Sequence, residues 1–547
     1  MDISERVNRA LKYRNLGEFD KAEQIYFDIL KEQPDNSVIL SFLGVMYYEL
    51  GNYKDSEKYL IKSYDIKPNN VAIKLLGFVY CYLSDYDNAE KFLRLTAEFD
   101  KTPEVINKLV SVLLTKTTGY NHAYKYSLEL YKKYPFNVEN IVHLSEICLN
   151  IGKFKESEDF CNKALKLDSK YSKAWIQKGK IEEVLKCDND EAVKCFKKSV
   201  RLGDKSEGYY NLSVHYILTD RKKSNYYAKY LLKTGISNRQ DELHHIIGTN
   251  YFAMRKMKQG FKYYVHSWDN MSGPSGEKWQ GETLKDKSLY VHFTQGFGDQ
   301  IMFARYLPLI ADKVKNIKIR IKPELYDLFK NSYSNYSNIE ICTLKDYPSY
   351  DKWSFMMFLP YYLNIDFKQI PYRDGYLSYD KEKAKIYKKK YFNTDKLKAG
   401  ICWRAGGALL RTELKRSIPL SYFEKMLNIN DVQFYSFTKE SDDVCSELFK
   451  SLNIIDAGTY FKSFDDTAAA LKNLDVLITV DTSVAHLAGA LGVKTLMLLP
   501  HYTDWRWFDE TEKTDWYSSV KIFKQKDKKY WDKEIDEVCQ NLRIMLD

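Results

Sequence analysis

Between residues 22 and 192 a small residue returns at nearly constant intervals: Ala22, Ser56, Ala89, Ala123, Ser157 and Ala192, separated by 34, 33, 34, 34 and 35 positions. A period of that size constrains the fold more than any single motif, because each unit must bury its apolar face against the next copy. Five residues before each small residue stand Gly17, Gly51, Ser84, Thr118, Gly152 and Cys187. Two residues after that companion comes an aromatic in five of the six units: Phe19, Tyr53, Tyr86, Tyr120 and Phe154. Pro34, Pro68 and Pro135 follow where a helix can no longer continue. Each unit therefore reads as two antiparallel helices, with the small residue at their closest approach, the aromatic filling the space between them and the proline at the turn. An arbitrary helical bundle would not keep such a period.

This pattern resembles the tetratricopeptide repeat, with six clear copies from about residue 5 to 205 and two worn ones around Ala228 and Gly260. The resemblance implies an α-solenoid over residues 1–268, whose concave face usually binds a peptide or protein. The sequence names no partner.

Past a Gly- and Ser-containing stretch read as a linker, 269–287, the pattern changes. Short apolar runs alternate with amphipathic segments: "SLYVHF", "NIKIRIK", "IEICTL" and "WSFMMFLP", then "AGICWR", "VQFYSFT", "VLITV" and "KTLMLLP". Such alternation argues for parallel sheets with helices on both faces. A charged, glycine-free segment from Lys381 to Lys398 divides the series. The expected arrangement is two Rossmann-like α/β domains, 288–385 and 386–547, facing across a cleft. Ligands in such sheets bind beyond the carboxyl ends of the strands.

Three strand-end segments carry candidate chemistry. In "VHFTQGFGDQIMFARYLP", Gly296 and Gly298 permit close approach of backbone to a ligand, and Asp299 falls at or next to a helix N-cap. The third glycine of the dinucleotide fingerprint is missing, which disfavours a nicotinamide or flavin enzyme. Taken alone, Asp299 fits a plain N-cap better than catalysis. In the second segment Arg416 precedes a helix expected to open at Pro419, after a loop with Arg404, Arg411 and Lys415. That cluster suits a diphosphate and a solvated basic loop equally well. In "DVLITVDTSVAHLAGALG", Asp481, Thr482 and Ser483 stand where a helix N-terminus would meet phosphate, with His486 one turn further on. Trp279, Trp403, Trp505, Trp507 and Trp516 are read as core packing ahead of ligand stacking.

Composition narrows the remaining classes. The net charge of +10 arises from interleaved charges with no block suited to nucleic acid. No apolar run approaches the roughly 18 to 20 residues of a membrane span, and the N-terminus lacks a signal-like apolar region, so a cytoplasmic protein is expected. Nine cysteines without CxxC spacing argue for reduced thiols and against a zinc module.

From about Trp279 to Trp531, the segments "QGFGDQIMFARYLP", "MMFLPYYL", "GICWRAG", "RSIPL", "SFDDTAAALKNLDVLITVDTSVAHLAGALG" and "LLPHYTDWRWF" occur in the order found in bacterial tetratricopeptide-repeat glycosyltransferases. The chain is similar to that family and, through it, to the ADP-heptose:lipopolysaccharide heptosyltransferases. The resemblance implies a GT-B fold with a C-terminal crossing helix. It implies inverting transfer from a nucleotide-diphosphate sugar to a hydroxyl, with no cofactor. Asp299 would be the general base and Arg416 would stabilise the departing diphosphate. Gly296, Gly298, Arg404, Asp481, Thr482, Ser483 and His486 would complete the donor site. Ser483 replaces the glycine usual in heptosyltransferases, which departs from the heptose-donor pattern. No DxD pair sits at a strand end of this half, so metal independence is expected. The acceptor expected is a protein presented by the solenoid. An envelope saccharide is the alternative, and a repeat scaffold with an inactive GT-B half is the reading of another class.

Overall fold

The computed structural model describes residues 2–83, 85–115, 119–186, 189–268, 273–293, 296–343, 348–406, 416–439, 449, 452–501, 503–508, 512–527 and 530–547. The chain divides into two compact units, Met1–Gly208 and Tyr209–Asp547.

In the first unit each repeat is a helical hairpin: Ile3–Asn15 with Phe19–Glu32, Ser37–Glu49 with Tyr53–Ile66, Asn70–Tyr82 with Tyr86–Phe99, Pro103–Leu113 with Tyr120–Lys133, Val138–Asn150 with Phe154–Leu167, and Ser172–Ile181 with Asn189–Arg201. All six periodic small residues are fully buried. Close contact explains their size. A Cβ added to Gly44 would lie 2.5 Å from Leu60 Cγ across the hairpin, and the Ser56 hydroxyl donates to the Gly44 carbonyl at 2.7 Å. Gly17, Gly51 and Gly152 adopt φ of 76°, 73° and 81°. That left-handed turn lets the next N–H donate back into the helix, as Glu18 does to the Tyr13 carbonyl at 2.9 Å. Pro34, Pro68 and Pro135 lie between hairpins. The periodic aromatics differ from expectation. They open the second helix of each hairpin, at its end and outside the interhelical core, and Tyr86 is 41% exposed. Among them Tyr53 meets neighbouring rings, stacking on Tyr82 with centroids 4.3 Å apart. Leu43, Leu60, Leu76 and Leu93 are among the residues that fill the interhelical core instead.

Two further hairpins follow, Lys205–Thr219 with Arg221–Thr234 and Gln240–Ala253 with Met257–Tyr264. Ala228 is fully buried, and a Cβ on Gly260 would lie 2.3 Å from Phe252. Eleven strands follow among the described residues: β1 (Glu277–Lys278), β2 (Leu284–His292), β3 (Val314–Arg320), β4 (Ile339–Cys342), β5 (Lys352–Phe355), β6 (Leu397–Cys402), β7 (Val432–Ser436), β8 (Ile455–Asp456), β9 (Val476–Thr479), β10 (Thr495–Leu499) and β11 (Val520–Lys524). They form two parallel sheets, ordered β1-β5-β2-β3-β4 and β11-β10-β9-β6-β7-β8. The second grows outward from β6 on both sides, the order of a doubly wound dinucleotide-type domain.

Three expectations are corrected. The stretch read as a linker supplies β1 and the start of β2, because Trp279 is fully buried and its N–H bonds the Trp353 carbonyl at 2.8 Å. "WSFMMFLP" is strand only to Phe355, after which it turns helical. The C-terminal helix Asp532–Leu546 buries Ile535, Val538, Cys539 and Leu542 in the core of the β6 to β11 sheet, and so packs on its own lobe.

One apolar cluster joins the last hairpin, through Phe252, Phe261 and Tyr264, to Leu289 and Ile301 on one lobe and Ala485 and Trp507 on the other. Arg305, with no exposed surface, ties the two lobes. Its guanidinium donates to the carbonyls of Met302 at 3.0 Å and Trp516 at 2.6 Å, and lies over the rings of Tyr376 and Tyr517. No helix among the described residues is long and apolar enough to cross a membrane.

Candidate functional site

Both sheets reverse direction of growth at their first long strand. In the first sheet β2 lies between β3 and β5; in the second β6 lies between β7 and β9. In parallel sheets of this order, ligands are taken beyond the carboxyl ends of the strands at such a reversal. Gly296 and Asp299 follow β2, Arg404 and Arg416 follow β6, and Asp481, Thr482 and Ser483 follow β9.

Gly296, exposed and with open space around its Cα, is the N-cap of the helix Phe297–Ala304. Asp299 is thus the third helical residue and not a cap. Its partner is Arg506, from the short turn Trp505–Trp507 beyond β10. Arg506 Nε donates to Asp299 Oδ1 at 2.7 Å, and Nη2 lies 2.6 Å from the same oxygen. Asp299 Oδ2 receives no hydrogen bond from any described residue and is not sealed from solvent. On its other side Arg506 Nη1 bonds Asp504 Oδ1 at 2.7 Å, and its guanidinium lies 4.5 Å over Trp505. Burial pushes the Asp299 carboxyl above its ordinary value while Arg506 pulls against it. At Asp504 burial also pushes upward, but the Arg506 charge and hydrogen bonds outweigh it and the carboxyl sits low.

Asp481 Oδ1 accepts from Trp507 Nε1 at 2.9 Å, and Oδ2 lies 3.9 Å from Arg416 Nη1. Burial and the nearby Asp504 raise the Asp481 carboxyl. Thr482 caps the helix Ser483–Ala490, its hydroxyl accepting from the Ala485 N–H. The N–H groups of Ser483 and Val484 have no acceptor among the described residues. Arg416, about one third exposed, donates to the Gly406 carbonyl at 2.6 Å. Arg404 is exposed. Arg411 and Lys415 lie outside the described residues. The helix after Arg416 begins as a tight turn at Leu420 with Pro419 as its N-cap.

His486 is 3% exposed and turned inward. Its ring stacks on Trp507 with centroids 4.8 Å apart, and Nδ1 lies 3.0 Å from the Tyr517 hydroxyl. A Cβ on Gly298 would sit 2.7 Å from His486 Cδ2, so the close approach this glycine permits is to the imidazole. The two are contact residues between the helices Phe297–Ala304 and Ser483–Ala490. Gly298→Ala is expected to lower stability, since Tyr517 and Trp507 leave the ring no retreat. Overpacking costs about 1–3 kcal/mol against up to roughly 1 kcal/mol of gained helix propensity. Urea unfolding measures the net effect, and the same change in a His486→Ala background is expected to be nearly neutral or stabilising.

Burial lowers the His486 pKa to about 3 and that of His245 to about 4. Unfolding returns both rings to their ordinary value of 6.5. The unfolded chain then binds protons the folded chain refuses, so stability is full above that value and declines as pH falls towards 4, by about 1.4 kcal/mol per pH unit per ring. The melting temperature of the second unit should drop between pH 7 and 5, and His486→Asn should flatten the slope. An unchanged slope in that variant would assign the acid sensitivity elsewhere.

No sequence pattern gives Arg506 and Asp504 a chemical role, and their one local cue is an arginine flanked by tryptophans just past a strand's carboxyl end. The five tryptophans assigned to core packing are all buried. Among the described residues no three His, Cys, Asp or Glu side chains gather as a metal site.

Residues 38–67 and 138–171 match family models described as tetratricopeptide repeat. The first unit is built of tetratricopeptide repeats. Protein FlbA of Caulobacter vibrioides is 25% identical over 304 residues, covering 49% of this chain and 48% of that protein, so the chain spans about half the length of this relative. Among solved structures, a tetratricopeptide repeat protein from Parabacteroides merdae is 12% identical, covering 45% of this chain and 97% of its own, with a TM-score of 0.39. YrrB, a TPR protein described as having an unusual peptide-binding site, is 13% identical, covering 32% of this chain and 92% of its own, with a TM-score of 0.28.

Proposed function

We propose that the second unit is an inverting glycosyltransferase of GT-B type, moving a sugar from a nucleotide-diphosphate sugar to a hydroxyl without a metal. The observation that carries this reading is the state of Asp299, in the first turn of the helix after β2: one carboxylate oxygen is fixed by Arg506 and the other receives no hydrogen bond from a described residue. A general base needs that combination of a fixed direction and a free lone pair. Arg404, Arg416 and the N–H groups at the start of the helix Ser483–Ala490 supply positive charge for the leaving diphosphate. Ser483 adds a hydroxyl in place of the glycine usual in heptosyltransferases. The acceptor is a hydroxyl on a protein bound by the tetratricopeptide repeats, a class of surface that usually takes peptides.

A second reading is a repeat scaffold whose α/β half binds without turnover. It is favoured by the same ion chain, which would stabilise the fold whether or not chemistry occurs. Incubating the protein with a panel of nucleotide sugars in EDTA, and measuring both binding and nucleoside diphosphate release, separates the two. Release from one donor is expected. Failure to bind any member of the panel would sink the transferase reading.

A further inference from the structure

The hold on Asp299 continues past Arg506 into the last two helical hairpins. The segment carrying Arg506, Thr503 to Phe508, rests on the helices Arg221–Thr234 and Gln240–Ala253. Phe252 packs on Trp505 with centroids 5.0 Å apart. Arg221, 7% exposed, donates from Nη2 to the Thr503 carbonyl at 3.4 Å and from Nη1 to Asn250 Oδ1 at 3.3 Å. Asn250, fully buried, is fixed in turn by bonds from its amide to Ser224 Oγ at 2.8 Å and Asn225 Oδ1 at 2.9 Å. From the other side Trp516 Nε1 donates to the Arg506 carbonyl at 2.8 Å. Each bond in this series has one geometry, and together they leave the Arg506 guanidinium little freedom.

We infer that Arg506, Phe252 and Arg221 are positioning residues for the Asp299 carboxylate, so that the last two hairpins are the mount of the reactive group and not part of the docking array. The kinetic consequence rests on the transferase reading above. A displaced guanidinium would let Asp299 Oδ1 swing, and a small misplacement of a reacting group costs up to about 10²-fold in rate.

The pH dependence carries a sign that packing alone does not produce. The charged and titratable groups around Asp299 are Arg506 and Asp504 from the turn, Asp481 beyond β9, His486 on the helix Ser483–Ala490, and His245 and Tyr264 on the hairpins. Burial keeps both histidines neutral and Tyr264 protonated near neutral pH. Asp481 is also raised by burial and feels the same two charges, so the ascending limb of kcat against pH is assigned to Asp299, tuned by Arg506 and Asp504, by its persistence in Asp481→Asn. Arg506→Gln should move that limb to higher pH by about 1–3 units. Asp504→Asn should move it to lower pH, because Arg506 then serves Asp299 alone.

The test measures pH profiles of nucleoside diphosphate release for the full chain and for Arg506→Gln, Asp504→Asn, Phe252→Leu, Arg221→Gln and Arg221→Lys. Hydrogen exchange of amides 297–304 is followed in parallel. Expected are opposite limb shifts for the first two variants. Phe252→Leu and Arg221→Gln should lose kcat by about 10- to 100-fold at nearly constant donor KM, with Arg221→Lys partly restored. Their exchange in 297–304 should quicken while that of 464–471 stays the same. Limb shifts of the same sign, or unaltered exchange, would overturn the inference. If the unaltered chain turns over no nucleotide sugar, the transferase reading fails by itself, and the exchange data alone decide whether the hairpins mount Asp299. Should Arg506→Gln fail to fold, Asp504→Asn and the two hairpin variants still decide it.

Discussion

Asp299→Asn is expected to reduce nucleoside diphosphate release by about 10² to 10⁴, the usual range for removing a positioned base. The amide keeps an oxygen for Arg506 to bond, and Arg506 keeps Asp504, so the ion chain shortens without leaving a buried charge alone. What is lost is the ability of Oδ2 to take a proton. Donor affinity should therefore hold while turnover collapses, and calorimetric binding beside a release assay reads the two separately. A loss of less than about tenfold would take Asp299 out of the base role.

Arg506→Met should have the largest effect on stability. It removes the cation that faces both Asp299 and Asp504 and the group that stacks on Trp505. Breaking a buried pair from one side costs about 3–5 kcal/mol, because Asp299, 12% exposed, must stay dry or pick up a proton, while Asp504, 37% exposed, is left to solvent. Urea unfolding followed by tryptophan fluorescence suits the measurement, since of nine tryptophans only Trp175 lies in the first unit. Adding Asp299→Asn and Asp504→Asn to Arg506→Met should return part of the loss. If Arg506→Met alone costs under about 1 kcal/mol, solvent reaches the pair and screens it as at a surface.

What could be read from sequence follows the range of each interaction. The repeat was legible because close approach within a hairpin depends on residues at fixed local spacing, so Ala22 and its periodic counterparts disclose it. The strands from "SLYVHF" to "KTLMLLP" were legible as apolar runs. The two-residue strands β1 and β8 were not, since so short an element owes its state to its neighbour's hydrogen bonds, and neither was the edge strand β11, whose apolar residues are interrupted by lysines. Within the candidate site the strand-end loops were found by pattern. The pairing of Asp299 with Arg506 crosses 207 positions, however, and no periodicity links them. His486 looked like a group beside an anion site for the same reason. Nothing local reveals that Trp507 and Tyr517 enclose its ring.

The core shared by the last hairpin and both sheets bears on how such a chain is assembled from parts. Phe252, Met257, Phe261, Tyr264 and Trp268 are interior to the second unit. A chimera that carries a different repeat array has to be joined upstream of these residues, for a junction at the end of the helices would strip the sheets of part of their interior. The repeats of the first unit can be exchanged without touching that interior.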